Sequence, residues 1–165
     1  MALRITSTDF GDGDYLGPDH ILAEEYGFGC AGGNRSPQLS WSGAPEGTAG
    51  YALTCYDPDA PTGSGFWHWV VVNIPAEVTE LAAGAGDGSG IPAGALQTRT
   101  DFGKPGYGGP CPPEGDHPHR YLFTVHAVSV AELPVDTGTM PAVVGFMLHF
   151  NTLEKASLMG LYKRR

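Results

Sequence analysis

Three short segments of this chain set ionisable side chains beside strand-like runs that are otherwise poor in charge. In Asp57-Pro58-Asp59-Ala60-Pro61 two carboxylates stand one residue apart, and the prolines fix φ, so the pair is held on a stiff turn. Such a pair suits an ammonium, a sugar hydroxyl or a metal ion, or it shares one proton. The same residues equally suit a plain turn in which Asp caps backbone N–H groups. His68, inside Trp67-His68-Trp69, reads on its own as a core histidine. It follows the carboxylates by only a short glycine-rich hairpin, Thr62 to Gly65, and a hairpin brings its two strand ends together. The third segment is Gly106-Tyr107-Gly108-Gly109-Pro110-Cys111-Pro112-Pro113, followed by His119-Arg120-Tyr121. A glycine-rich turn lets amide N–H groups converge into a small anion nest, and His119 adds a donor. Arg120 reads as a surface or ion-pairing residue. Carboxylates, imidazoles and amides together match a zwitterionic or anionic head group, with the anion on the amides and His and the cation on Asp.

These groups need strands to position them, and period-2 patterning dominates the chain. Tyr51, Leu53 and Cys55 alternate with Ala52, Thr54 and Tyr56, and both faces are largely apolar, which predicts an interior strand over 50–57. Phe66 to Ile74 is rich in aromatic and β-branched residues and ends at Pro75, a second strand. Arg120 to Val130 alternates in the same way and forms a third. Shorter strands are expected at 3–6, 38–41 and 158–162. Helix is scarce: one opens at Thr139 as N-cap, with Pro141 in its first turn, and runs to about Glu154; 19–26 forms one short further turn. The glycine-rich stretch 82–94 lacks a GxGxxG frame and reads as a surface loop. The expected architecture is a single all-β domain over 1–165, a sandwich with one or two short peripheral helices.

Composition narrows the function classes. The chain has 165 residues, with 25 Gly and 14 Pro, just under the roughly 25–30 % at which such content suggests a disordered chain. Charged residues are 16 % and the apolar set 41 %, enough for one core but too few charges to coat a helix bundle. Asp and Glu outnumber Lys and Arg 18 to 9, for a net charge of -9. Three of the nine cations are the terminal Lys163, Arg164 and Arg165, which read as a solvated tail, and the rest are scattered, so nucleic-acid binding by clustered cations is not expected. No run approaches the ~18 apolar residues of a membrane span, and Met1 to Phe10 has no signal-peptide pattern. The protein is read as cytoplasmic. Cys30, Cys55 and Cys111 form neither a CxxC pair nor an even set, which speaks against a disulfide framework or a zinc knuckle. Cys55 reads as a core residue. Cys30 and Cys111 lie in Gly/Pro loops that can approach each other, though a reducing compartment disfavours a bond.

The segments DPDAP (57–61), WHWVVVNIP (67–75), GYGGPCPP (106–113) and HRYLFTVHAV (119–128) resemble, in order and spacing, the signature segments of the phosphatidylethanolamine-binding protein family. The likeness is greater to its bacterial, Raf-kinase-inhibitor-like branch. CAGGNRSPQLSWSGAPEGT (30–48) and VVGFMLHFNTLEKASLMGLY (143–162) extend it over nearly the whole chain. The resemblance implies a Greek-key β-sandwich with a small anion pocket at one sheet end, binding phosphate-like or acetate-like anions and phosphoethanolamine head groups. Transferred position by position, the ligand-binding residues are Asp57, Asp59, His68, Gly109, Pro110, His119 and Tyr121. Trp67-His68 replaces the double histidine of many eukaryotic members, and their longer C-terminal extension is missing, so eukaryotic kinase-signalling roles are not carried over.

Three functions compete on this reading. The first is a binding module for a small anionic or zwitterionic ligand such as phosphate or phosphoethanolamine. The second is an enzyme acting on a small oxygenated metabolite, with His68 or His119 as acid or base and an Asp orienting it; no GxSxG, HExxH or Walker A frame supports it. The third is inhibition of a kinase or protease through the rigid loops around the pocket. No metal or other cofactor and no stable membrane insertion is expected. A homodimer and a protein partner complete the expectations.

Overall fold

The computed structural model describes residues 2–164, so Met1 and Arg165 of the basic tail lie outside the described residues. The strands are β1 (Arg4–Thr6), β2 (Leu39–Ser42), β3 (Gly50–Asp57), β4 (Phe66–Pro75), β5 (Glu80–Leu81), β6 (Leu96–Gln97), β7 (His119–Val128) and β8 (Thr152–Tyr162), with one α-helix, α1 (Pro141–Asn151). A three-stranded sheet has the order β1-β2-β5, and a five-stranded sheet the order β6-β4-β3-β7-β8. All pairings between these strands are antiparallel. Strand β7 skips β4 and β6 to lie beside β3, and the order β7-β3-β4-β6 is that of a Greek key.

The central strands are apolar on both faces because both faces are covered. On one side Leu53, Cys55, Trp69, Val71, Phe123 and Val125 join Ile5, Leu39, Trp41 and Leu81 of the small sheet in one cluster. On the other, Ala52, Val70, Val72 and Val128 receive Val144 and Leu148 of α1. The helix therefore serves as a third layer. Its N-cap is Met140 with no side-chain cap; Thr139, expected there, instead accepts a bond at its hydroxyl from the Asp136 N–H at 3.0 Å. The helix also ends sooner than expected, because the chain turns extended at Thr152 and β8 pairs with β7 from that residue on. Tertiary pairing overrides the helical spacing of Leu153 and Glu154.

Segment 19–26 forms two 3-10 turns, Pro18–His20 and Glu24–Tyr26. The stretch 82–94 is more than a surface loop. Its 3-10 turn Ala85–Asp87 buries Ala85 and Gly86, the Gly86 N–H donates to the Ser36 hydroxyl at 2.8 Å, and its carbonyl accepts the Tyr107 N–H at 3.0 Å. It thus supports the glycine-rich turn from behind. The basic tail is also partly docked: Arg164 Nε donates to the Pro112 carbonyl at 2.7 Å.

Whether Cys30 and Cys111 pair, left open by the sequence, is decided by the fold. Cys30 and Cys111 form a disulfide across 81 residues with Cα atoms 5.9 Å apart, because the fold lays the 28–34 loop against the 106–113 turn. Cys55 is free and buried, as expected of a core residue. Replacing both Cys30 and Cys111 by Ser should lower the unfolding free energy by about 2–4 kcal/mol. Urea titration of the oxidised protein and the double variant measures this; equal midpoints would mean that the bond contributes nothing to the fold.

Candidate functional site

In antiparallel neighbours the end of one strand meets the start of the next, and this places the site. Asp57 closes β3, Phe66 opens β4 opposite it, and His119 opens β7 on the other side of β3. Three strand ends thus deliver Asp57, His68, His119 and Tyr121 to one edge of the large sheet. There they line a cavity of about 240 Å³ whose other walls include Leu22, Phe28, Phe66, Phe102, Pro112 and Pro113. A larger, open depression of about 830 Å³ lies nearby between Tyr15, Cys30, Glu114 and Arg164. Among the described residues it gathers no buried ionisable side chain, so the chemistry belongs to the smaller cavity.

Asp57, 2 % exposed, accepts the Asp59 N–H at 2.8 Å on one oxygen and bonds His119 Nδ1 at 2.7 Å through the other. His119 Nε2 contacts the Asp116 carboxylate at 2.9 Å. Both carboxylates are acceptors, so the ring is satisfied best with a proton on each nitrogen, as imidazolium. Burial works against that charge, but the hydrogen bonds from Asp57 and Asp116 outweigh it and hold the His119 pKa above its ordinary 6.5. His68 is the opposite case: burial pushes its pKa down, against weaker pulls from the Gly108 carbonyl and Asp57. The neutral ring donates from Nδ1 to the Gly108 carbonyl at 2.7 Å, which leaves Nε2 with a lone pair. Tyr121 is fully buried, and burial together with the nearby Asp57 charge drives its phenol pKa up, so it stays protonated. One edge therefore carries an imidazole held between two carboxylates, a second imidazole with a free Nε2, and a phenol within apolar walls.

Three of the residues expected at the site are engaged elsewhere. Asp59 does not line the cavity. Its carboxylate accepts from the Arg120 backbone N–H at 2.9 Å, Nε at 3.0 Å and Nη2 at 2.8 Å, and the Arg120 guanidinium bonds hold its pKa at about 2. It ties the DPDAP turn to the start of β7, and Arg120 is the ion-pairing residue expected. Gly109 and Pro110 do not line the cavity either, and the amide nest is spent internally. The N–H of Tyr107 goes to Gly86, that of Gly108 to the His68 carbonyl at 3.0 Å, and that of Gly109 to the Asn34 side chain at 2.8 Å. The Pro110 carbonyl accepts the Leu22 N–H at 3.0 Å. A Cβ at position 109 would collide with the His20 carbonyl, so this glycine serves close packing.

Other residues of the site escaped the sequence reading. Asn34 sits at φ 51° and also donates to the Tyr107 carbonyl at 3.1 Å, clamping the turn from two sides. Its signal was the run Gly32-Gly33-Asn34, since Asn tolerates the left-handed region better than most residues. Phe28 and Phe102 stack at 5.9 Å, and Phe102 also meets Phe66 edge-on at 4.8 Å. Asp116 had no spacing that marked it. Among the described residues no three His, Cys, Asp or Glu side chains are grouped to hold a metal ion.

Comparison with known proteins agrees with the fold and these segments. The family model for phosphatidylethanolamine-binding protein matches residues 6–163, and the chain belongs to that family. It is 51 % identical over 164 residues to the UPF0098 protein YbcL of Escherichia coli, covering 98 % of this chain and 88 % of that one. It is 50 % identical over 161 residues to the UPF0098 protein YbhB of the same organism, covering 97 % and 99 %. The crystal structure of Escherichia coli YbcL, described as a member of the mammalian PEBP family, superimposes with a TM-score of 0.96 at 50 % identity over the whole of both chains. Among the described residues no helix is long and apolar enough to cross a membrane.

The raised pKa of His119 has a stability consequence of defined sign. A group whose folded pKa exceeds its unfolded value adds stability that is complete below the unfolded pKa, near 6.5, and is lost as pH rises through the folded pKa. The groups facing the ring are Asp57 from β3, Asp116, His117 at 5.5 Å and Tyr121 from β7 itself. His126, held at about 4 by burial and Lys155, works in the opposite sense: its contribution is lost as pH falls. The difference between wild type and His119→Gln isolates the His119 contribution. That gap in urea midpoint should be widest near pH 6 and narrow towards pH 9; a gap that does not vary with pH would show that His119 is neutral in the fold.

Proposed function

We propose that the protein binds a small phosphorylated or carboxylated molecule, of the bulk of a phosphoethanolamine head group, in the cavity at the Asp57–His119 edge. The observation that carries this reading is a buried imidazole, His119, held between two carboxylates at 2.7 and 2.9 Å at the wall of a small aromatic cavity. At about 30 Å³ per water, 240 Å³ holds roughly eight waters, and phosphoethanolamine has a similar number of heavy atoms. The space inside the cavity therefore matches the head group of such a lipid and not its acyl chains. The anionic end is drawn towards His119 and Tyr121 on one wall, and an ammonium end lies against the rings of Phe28, Phe66 and Phe102, whose faces attract cations. The family's name, phosphatidylethanolamine-binding protein, points to the same ligand chemistry. Turnover is the less favoured reading: both His119 nitrogens are engaged by carboxylates, and although His68 Nε2 keeps its lone pair, among the described residues no hydroxyl or thiol is hydrogen-bonded to it as a nucleophile.

Calorimetric titration tests this. Phosphoethanolamine and inorganic phosphate should give saturable heats, and His119→Ala should weaken both by about ten- to a hundredfold, the loss of a charged hydrogen bond of about 1.5–3 kcal/mol. No saturable heat with either, or an unaltered affinity in the variant, would refute the reading.

A second copy of the chain is the partner that the surface favours. Helix α1 has no Lys, Arg, Asp or Glu, in a chain of net charge -9 whose copies repel elsewhere. Its outer face carries Met140, Val143, Phe146 and Phe150, with the two phenylalanines 65 % and 69 % exposed. These side chains offer roughly 400 Å² of apolar surface per copy, about half of what a standard interface buries on each partner. Light scattering on the eluting protein should report a dimer, and Phe146→Glu with Phe150→Glu a monomer. A wild type that is monomeric at all concentrations would exclude this contact.

A further inference from the structure

The Nε2–H of His119 has no open face. Asp116 covers it at 2.9 Å, and Nδ1 is taken by Asp57 at 2.7 Å. The imidazole is 0 % exposed while the Asp116 side chain is 37 % exposed, so the carboxylate stands between the ring and solvent. It rides on a short turn, closed by its own N–H to the Pro113 carbonyl at 3.2 Å, and Pro113 lines the cavity. Among the described residues the ring is the one hydrogen-bond partner of this carboxylate. A carboxylate oxygen and a phosphate oxygen place the same demand on an imidazolium: an anionic acceptor at about 2.7–2.9 Å from N–H.

We propose that Asp116 is a tethered stand-in for the anionic end of the ligand: it occupies the His119 Nε2–H, and an incoming phosphate or carboxylate must displace it to bind there. The proposal rests on the reading that His119 is the anion donor. Two features make the exchange cheap. The carboxylate is partly in water already, so little burial is lost when its turn swings outward. The imidazolium keeps one carboxylate partner, Asp57, throughout, so its charge is never left unpaired in the interior. The stand-in also discriminates between ligands. With a carboxylate on either side of one imidazole, the cluster offers more anionic than cationic groups, which favours an ammonium and disfavours an anion until Asp116 leaves.

The test titrates inorganic phosphate, phosphoethanolamine and ethanolamine by calorimetry at pH 6 into wild type, Asp116→Ala, Asp116→Asn and His119→Ala. Asp116→Ala should bind both phosphates at least tenfold more tightly, while ethanolamine binding is unchanged or weaker. The isosteric Asp116→Asn, which keeps the turn but loses the charge, should move in the same direction by a smaller factor. The titration of the His119 ring followed by nitrogen NMR should shift to lower pH in both. A general loosening of the cavity would move all three ligands together and would overturn the proposal. Phosphate binding that is unchanged or weaker in both Asp116 variants, but lost in His119→Ala, would overturn the role of Asp116 and leave the anion site standing. No phosphate binding to any form would overturn both.

Discussion

The contact between Asp57 and His119 is the constraint around which the rest of the molecule is arranged. Two groups that water would solvate well are buried almost completely, 2.7 Å apart, and neither is tolerable there alone. Breaking such a pair by removing one partner costs about 3–5 kcal/mol, because the other is left as an unpaired buried charge. The fold must therefore bring the end of β3 and the start of β7 together to within a fraction of an ångström. The Greek-key crossover does this by running β7 antiparallel beside β3. The Asp59–Arg120 bonds then lock the turn after β3 to the first residues of β7 from the solvent side.

The excess of glycine and proline has its explanation in the same region. Pro61, Pro112 and Pro113 form cavity wall, and Gly109 allows the turn to press against the 20–22 segment. Around that turn the backbone is satisfied almost entirely from within, by Asn34, Gly86, His68 and Leu22. The disulfide closes the arrangement by joining the turn to the loop that carries Phe28 and Asn34. A cavity whose walls are held by so many independent ties loses little conformational entropy on binding, which is how rigid sites gain affinity.

Much of the fold was legible because its signals are local. The patterning of 50–57, 66–74 and 120–130 predicted the three central strands within two residues at each end. The hairpin after Asp57 correctly suggested that His68 would share its end of the sheet. The reading failed where a non-local partner decided. Leu153 and Glu154 keep a helical spacing, yet they pair as strand with β7. The glycine-rich turn looks like an anion nest until its amides are seen to be claimed by residues 34, 68 and 86. Asp59 looks equivalent to Asp57, and only the position of Arg120 separates a structural carboxylate from a cavity one.

By itself, the sequence determined the chemistry on offer and the family, because residue type, period-2 alternation and the order of the signature segments are properties of the chain. It determined that carboxylates and imidazoles would flank strand ends, and that a small, acidic, charge-poor domain would be built from sheets. Tertiary structure alone decided which of these groups are charged and which are free to meet a ligand. His68 and His119 are the same side chain, but burial against a carbonyl pushes the pKa of one down, while two carboxylates hold that of the other up. The difference lies in what each ring touches across 40 and 62 residues of separation, and contacts at that range follow from the packing of the strands, not from neighbours along the chain.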